Sequence, residues 1–152
     1  MKAIIQRVKE ASVTVNGEMI SSIGKGFLIL LGIEATDKPA DLQTLTSKIS
    51  KLRIFADEAD KMNLSIRDVN GAILLVSQFT LCAQTRHGNR PAFVSAMNPA
   101  DAERMYLEFG KTLESMQIPV SYGQFGAMMD VGLINDGPVT IIMESKDGVI
   151  LN

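Results

Sequence analysis

Two short polar segments, each next to an apolar run, contain the residue types best suited to chemistry in this chain. Ser77-Gln78-Phe79-Thr80-Leu81 follows a buried run and offers backbone N–H groups and hydroxyls at the end of a predicted strand. Asn135-Asp136-Gly137-Pro138-Val139-Thr140 follows another apolar run and places a Gly-Pro bond in a tight turn. Together the segments predict a small pocket built largely from main chain, which would select a ligand by shape and handedness.

Side-chain nucleophiles are scarce around these segments. Thr80 has no evident base beside it, and an unassisted Thr hydroxyl is a weak nucleophile at neutral pH. Cys82 and His87 are the only Cys and His of the chain, and their spacing alone does not establish a nucleophile–base pair. Backbone N–H groups of Ser77 to Thr80 are the better candidates, because one donor aimed at a developing oxyanion lowers a barrier by about 3 kcal/mol. The alternative is that these groups only complete the sheet.

Several classes of site are excluded by composition. One Cys and one His cannot build the usual zinc site, and the chain has neither a phosphate-binding Gly-rich loop nor a Gly-x-Ser-x-Gly motif. We therefore expect no metal and no cofactor. The formal net charge of −2 argues against a general nucleic-acid binder, although it leaves room for a local basic site.

The segment from 85 to 91 is a candidate for such a local basic site. Arg86, His87 and Arg90 lie there in a Gly-containing loop, and guanidinium and imidazole donors suit a phosphate backbone. A solvated charged loop is the equally plausible alternative. The lone Cys82, the absence of a signal-peptide pattern and the absence of an apolar run long enough to span a bilayer predict a cytoplasmic protein with no membrane partner.

The pattern of apolar residues predicts one mostly β domain over residues 1–152. Val13 to Ile23 is typical of a hairpin with a type I′ turn at Asn16-Gly17, and the runs from Phe27 to Leu31 and from Ala72 to Val76 indicate buried strands. Two further strands are expected late in the chain, near 128–134 and 139–144.

Two helices are expected between these strands. Asp37 is predicted to cap the first, whose apolar stripe comprises Leu42, Leu45, Ile49 and Leu52. Asn98-Pro99 opens the second, with a stripe of Ala102, Met105, Phe109, Leu113 and Met116, and Pro119 ends it. Because the helices do not alternate with every strand, the predicted class is α+β, with barrel-like sheets and two packed helices.

Several sequence blocks, in order from the first strand to the last, resemble the D-aminoacyl-tRNA deacylase family. They are Arg7-Val8 with Ala11-Ser12-Val13, Leu52-Arg53-Ile54-Phe55, Lys61-Met62-Asn63-Leu64-Ser65, Ser77-Gln78-Phe79-Thr80-Leu81, Gly88-Asn89-Arg90-Pro91, Phe125-Gly126-Ala127 and Asn135-Asp136-Gly137-Pro138-Val139-Thr140. The resemblance implies a homodimeric hydrolase that cleaves the ester between a D-amino acid and the 3′ end of tRNA, as quality control in translation. It also implies an active site at the subunit interface.

By this resemblance, Ser77, Gln78, Phe79 and Thr80 line the catalytic pocket, and Gly137-Pro138 is a Gly-cisPro motif inserted from the partner subunit. Ala102 and Met129 match further substrate-binding positions. The resemblance implies that the ribose 2′-hydroxyl of the tRNA assists the attack, while the protein positions the ester and stabilises the oxyanion. We expect L-aminoacyl-tRNA to be excluded and glycyl-tRNA to be accepted.

Two positions depart from the family pattern: Cys82 stands where an aromatic residue is frequent, and Met128 where an acidic residue is common. Neither lies in the two defining segments. Three alternatives remain open at this point: a non-catalytic module that binds RNA ends or amino acids, a Cys82-dependent esterase, and a purely structural protein.

Overall fold

The computed structural model describes all residues from 1 to 152. The chain begins with three antiparallel strands, β1 (Lys2–Val15), β2 (Glu18–Ile23) and β3 (Gly26–Gly32). Asn16 and Gly17, at the turn between β1 and β2, have φ values of 51° and 78°. Two successive positive φ values are the mark of a type I′ turn, so the predicted hairpin is confirmed.

The remaining elements follow in the order α1 (Pro39–Ser50), β4 (Phe55–Ala56), β5 (Met62–Leu64), β6 (Ala72–Ser77), a short 3₁₀ helix (Phe79–Cys82), α2 (Pro99–Ser115), β7 (Val120–Tyr122), β8 (Asp130–Lys146) and β9 (Val149–Ile150). The main sheet has the order β7-β6-β3-β1-β8-β9, and β2 pairs with the far half of β1. Strands β3, β6 and β7 are parallel, while the other pairs are antiparallel. The architecture is therefore α+β, as predicted.

The core lies mainly between one face of the sheet and the two helices. Leu42, Leu45 and Ile49 of α1 are fully buried there, because their spacing places them on one helical face. The same cluster receives Phe109 and Leu113 from α2. On the opposite face of the sheet, a smaller cluster joins the far half of β1 to β3 and β6.

Two features of the chain differ from the prediction. Asp37 does not cap α1, whose N-cap is Lys38; instead, its carboxylate accepts hydrogen bonds from the Met1 α-ammonium at 2.5 Å and from Glu34 N–H at 2.7 Å. The two expected late strands are one long strand, β8, in which residues 136–139 leave the ladder with β1 and return to it. The Gly-Pro pair interrupts the apolar pattern and so made one strand resemble two.

Candidate active site

Strand β6 delivers Ser77 to the edge of the sheet, where the chain turns into the short 3₁₀ helix. Gln78 N–H donates to Leu31 O at 2.8 Å, which fixes the start of the turn against β3. The first hydrogen bond of the turn itself is donated by Leu81 N–H to Gln78 O at 3.2 Å. The N–H groups of Phe79 and Thr80 come before Leu81 in the chain, so neither of them donates a hydrogen bond within the turn.

The side chains of this segment form an open surface. Phe79 is 59% exposed and stands edge-on to Phe93, with 5.1 Å between ring centroids. The Thr80 hydroxyl accepts a hydrogen bond of 2.5 Å from the Gln78 side-chain amide, and it makes no other hydrogen bond. Because an amide is not a base, this hydroxyl has no partner able to take its proton.

Met129 lies beside β6, and Ala102 lies one helical turn from the α2 residue that bonds to β6. Ala102 is buried in the first turn of α2, one helical turn before Tyr106, whose hydroxyl donates to Leu75 O at 2.7 Å. Met129 packs against the apolar cluster that contains Val76, and its sulfur accepts from Gln124 N–H at 3.4 Å. The structure thus places Met129 against the strand that ends in Ser77, whereas Ala102 is linked to that strand only through Tyr106.

Gly137 and Pro138 form an exposed corner that projects from the middle of β8. Thr140 pairs with Gln6 and Asn135 pairs with Val8, so four residues of β8 face a single residue of β1. The peptide bond between Gly137 and Pro138 is cis. A Cβ added to Gly137 would lie 2.6 Å from the backbone nitrogen of Val139, so the corner has no room for a side chain at this position.

Two residues that sequence reasoning assigned no role brace this corner. Asn135 Oδ1 accepts from Val139 N–H at 2.7 Å, and Arg7 Nε donates to Asp136 O at 2.7 Å. Arg7 also donates to Ile54 O at 2.5 Å, which ties the corner to the segment after α1. The polar Asn ahead of a Gly-Pro pair was the available sequence signal, because Asx side chains often close such turns.

The two defining segments are not close together within one chain. Ser77 is in register with Leu31, Leu31 with Ala3, and Ala3 with Met143. Met143 of β8 is therefore about 14 Å from Ser77 across three strand spacings, and the corner lies at least another ~10 Å along β8. The single pocket first expected from both segments does not exist within one copy of the chain.

The basic loop follows directly from the 3₁₀ helix. Gln84 and Ala92 exchange two backbone hydrogen bonds, of 2.8 and 3.0 Å, and so close the base of the loop. Arg86, His87 and Arg90 are all exposed within it. No Asp or Glu occurs between Asp68 and Asp101, so the loop and the end of β6 lie in a stretch without negative side chains.

The Cys82 thiol is buried, and its sulfur lies 3.5 Å from Ile33 O. Burial raises the pKa of this thiol, which disfavours the nucleophilic thiolate. No group of three or more His, Cys, Asp or Glu side chains is arranged to hold a metal ion. Neither helix is long and apolar enough to cross a membrane.

Comparison with known sequences gives a consistent family assignment. A family model described as D-Tyr-tRNA(Tyr) deacylase matches residues 4–144. A D-aminoacyl-tRNA deacylase of Cereibacter sphaeroides is 56% identical over 145 residues, which is 95% of this chain and 100% of the relative. A protein of the same name from Chloroflexus aurantiacus is 54% identical over 147 residues, or 97% of this chain and 92% of the relative.

Solved structures agree in fold. One described as a c-Myc DNA unwinding element binding protein superposes with a TM-score of 0.90 at 45% identity, over 96% of this chain and 99% of the other. One described as a probable eukaryotic D-amino acid tRNA deacylase gives a TM-score of 0.71 at 16% identity, over 93% of this chain and 97% of the other, and supports the fold alone. With the family model matching almost the entire sequence, the chain belongs to the D-aminoacyl-tRNA deacylase family.

Proposed function

We propose that this protein hydrolyses the ester bond between a D-amino acid and the 3′ end of tRNA, as a check on chirality during translation in the cytoplasm. The observation that carries the proposal is the identity of 54–56%, over nearly the whole chain, with relatives named D-aminoacyl-tRNA deacylase. The geometry at the end of β6 adds a mechanism that needs no metal, no cofactor and no side-chain nucleophile.

In this mechanism, the free N–H groups of Phe79 and Thr80 bind the carbonyl oxygen of the ester. Water attacks the carbonyl carbon, and the two donors stabilise the negative charge that develops on the oxygen. The bond to the ribose oxygen then breaks, and that oxygen leaves with a proton as the free hydroxyl. An aminoacyl ester is already activated, so positioning and oxyanion stabilisation supply the modest rate enhancement required.

The tRNA itself completes the proton transfer in this proposal. His87 is exposed on the basic loop, and Gln78, the hydrogen-bond partner of the Thr80 hydroxyl, cannot accept a proton. The family resemblance implies that the ribose 2′-hydroxyl next to the ester fills this role. A Cys82-dependent esterase is disfavoured, because that thiol is buried with a raised pKa.

The active site is completed by a second copy of the chain. The Gly137–Pro138 corner cannot reach Ser77 of its own chain, because about 14 Å of sheet separates β6 from β8 and the corner lies at least another ~10 Å along β8. The sheet face opposite the helices also carries an apolar row, formed by Ile142, Ile4 and Leu30 in register, and Ile142 is 60% exposed. A homodimer that covers this row would bury its apolar side chains, and it would also bring each corner to the end of the partner's β6.

A mixing experiment tests the composite site. Gly137→Ala disables the corner, and Thr80→Pro removes one amide donor, so each variant alone should lack activity. Co-refolding the two should restore about a quarter of wild-type activity, because half of the dimers are mixed and each mixed dimer has one intact site. Separate refolding followed by brief mixing is the control. Absence of recovery in dimers shown to be mixed would refute the composite site.

Chirality is read at the corner in this proposal. The backbone carbonyls of Gly137 and Pro138 bind the α-amino group of the substrate and leave no space where an L side chain would project. A D side chain points out of the pocket, so its identity matters little. Specificity arises from exclusion of the wrong partner and not from contacts with the right one.

The tRNA is held through phosphates of its acceptor end by Arg86, His87 and Arg90. These three side chains are exposed on a loop that begins two residues after the 3₁₀ helix of the site. No negative side chain of the surrounding stretch competes for them. Binding should therefore weaken as the salt concentration rises.

A binding module without turnover is the second candidate. The observation in its favour is that the structural neighbour at 45% identity is described as a DNA-binding protein. Release of amino acid from D-tyrosyl-tRNA and L-tyrosyl-tRNA, measured side by side with catalytic amounts of protein, separates the candidates. Loss of the D-ester alone supports the deacylase with chiral exclusion. Loss of both esters retains the esterase but rejects exclusion, and binding of tRNA without loss of either supports the module.

A further inference from the structure

Tyr106 is a buried polar residue that the proposed mechanism does not use. It lies in the second turn of α2, it is 1% exposed, and its hydroxyl donates to Leu75 O at 2.7 Å. Leu75 O also accepts a hydrogen bond of 2.9 Å from Gly123 N–H. One carbonyl oxygen, two residues before Ser77, therefore joins β6 to α2 and to the segment that follows β7.

The aromatic ring of Tyr106 reinforces the same junction. It packs against Tyr122, with 6.0 Å between ring centroids, and against Phe125, with 5.8 Å. These rings flank Gly123 in the segment that continues to Met129, and the Tyr122 and Phe125 rings also pack against the main core. Ala102 lies one turn earlier on the same face of α2.

We infer that Tyr106 is a positioning residue for hydrolysis of the aminoacyl ester. Its hydroxyl and ring fix the relative positions of the three segments that carry Ala102, Met129 and the free amides of Phe79 and Thr80. This inference rests on the proposed function, because it assigns Tyr106 a role in holding that site. Tyr106 does not touch the substrate, so it acts only through Leu75 and the neighbouring rings.

Core packing alone does not require the Tyr106 hydroxyl. Phe would fill the same volume and keep both ring contacts, and Leu75 O would still accept from Gly123 N–H. No buried carbonyl would be left unpaired, so the usual penalty for breaking a buried hydrogen bond would not arise. The hydroxyl adds a second, lateral bond at the strand end, and its main effect is to fix the position of that strand end relative to α2.

The expected consequence is a selective loss in kcat. A displacement of the amide donors weakens the interaction that develops in the transition state, whereas KM depends mainly on contacts with the tRNA phosphates. Tyr106→Phe should therefore lower kcat about tenfold, less than the loss expected when an oxyanion donor is removed outright, while KM for D-tyrosyl-tRNA changes by less than about twofold.

Tyr122→Phe is the matched control. Its hydroxyl bonds only to the exposed carboxylate of Glu114, at 2.9 Å, and its ring occupies the same cluster. This variant should keep wild-type kcat and KM. Ile49→Val, in the buried stripe of α1, controls for stability, since removal of a buried methylene group should lower the free energy of unfolding without altering kcat.

Backbone hydrogen exchange provides a second readout. Tyr106→Phe should speed exchange in the peptide covering residues 77–83 and at Gly123, and Tyr122→Phe should not. The inference is overturned if Tyr106→Phe keeps wild-type kcat, if it raises KM alone, or if both Tyr variants lose activity equally. If the wild-type protein itself cleaves no D-tyrosyl-tRNA, the proposed function fails first, and the exchange data then show only whether the strand end is held by Tyr106.

Discussion

Asn135 and Val139 are joined by two hydrogen bonds across the corner that carries Gly137 and Pro138. Asn135 Oδ1 accepts from Val139 N–H at 2.7 Å, and its Nδ2 donates to Val139 O at 3.2 Å. On the β1 side, Arg7 donates to Asp136 O at 2.7 Å. The corner is thus a braced loop, in which a side-chain amide replaces the ladder bonds that β8 gives up there.

Asn135→Ala should loosen this corner and lower both activity and stability. Leaving the part-buried Val139 N–H unpaired should cost about 1–3 kcal/mol in the free energy of unfolding. We expect hydrolysis of D-tyrosyl-tRNA to fall at least tenfold in kcat/KM, and urea unfolding with steady-state kinetics would measure both effects. Asn63→Ala is the control, because the Asn63 side chain bonds only to Asp57, in a solvent-exposed hydrogen bond. Wild-type kinetics in Asn135→Ala would argue against a role for the brace.

Thr80→Ala should retain most of the activity. The Thr80 hydroxyl accepts from the Gln78 amide at 2.5 Å and has no base, so its removal leaves the backbone N–H in place. We expect kcat within about tenfold of wild-type, whereas Thr80→Pro, which removes the N–H itself, should lose about a hundredfold or more. A loss above about a thousandfold in folded Thr80→Ala, near 4 kcal/mol, would instead indicate direct attack by the hydroxyl.

Reversing the charge of Arg86 and Arg90 together should raise KM for aminoacyl-tRNA with little change in kcat. Both side chains are exposed on the loop beside the site, and loss of phosphate contacts also reduces the salt dependence of binding. The control is Lys61→Glu with Arg67→Glu, which makes the same change in net charge on exposed residues that flank β5. Equal KM values for the two double variants would exclude a specific role for the basic loop.

Glycyl-tRNA should be cleaved, because glycine has no side chain for the Gly137–Pro138 corner to exclude. At high enzyme concentration, we expect glycyl-tRNA to be hydrolysed, while L-alanyl-tRNA, which adds only a methyl group on the excluded side, should survive. Following the release of each amino acid over a range of enzyme concentrations would test this. Complete resistance of glycyl-tRNA would mean that the site reads a D side chain positively, against the exclusion model.

Local signals in the sequence were enough to predict most of the elements. The Asn16-Gly17 turn, the stripe of Leu42, Leu45 and Ile49, and the Asn98 cap all rest on contacts within a few residues, and each is present. Tyr106 is missing from the predicted stripe of α2, because Met105 and Phe109 already fit the helical spacing. Its spacing of four residues from Ala102 was the signal that would have found it.

Long-range contacts account for the features that the sequence did not reveal. Asp37 precedes Pro39 as a capping residue would, but the Met1 ammonium, 36 residues away, takes its carboxylate. Nothing near residue 37 indicates that partner. Likewise, Ser77 and Gly137 belong to separate ends of one sheet, a fact that only the strand register shows. Only the register of the strands therefore indicates that a second copy of the chain is needed to complete the site.

Asp41 should make stability depend on pH in the acid range. Burial by itself raises the pKa of this carboxyl, but hydrogen bonds from Gly148 N–H, Lys38 N–H and the Ser145 hydroxyl, each 2.9 Å long, outweigh it and hold the pKa below its usual range. These bonds tie the start of α1 to the β8–β9 hairpin. They strengthen the fold only while the carboxylate is ionised.

A group whose pKa is lower in the folded than in the unfolded state stabilises the fold above its unfolded pKa, about 3.9 for Asp. That contribution is lost as the pH falls through the lowered folded pKa of Asp41. Asp41→Asn replaces one carboxylate oxygen, an acceptor, with an amide NH2 group, a donor that would face N–H groups. The substitution should therefore lower the free energy of unfolding by about 1–3 kcal/mol near pH 7 and by much less near pH 2. Urea unfolding across that range would measure the difference, and Ser145→Ala, which removes one donor, should show a smaller loss with the same trend. A difference between wild-type and Asp41→Asn that does not shrink on acidification would show that the cost comes from packing and not from the charge of Asp41.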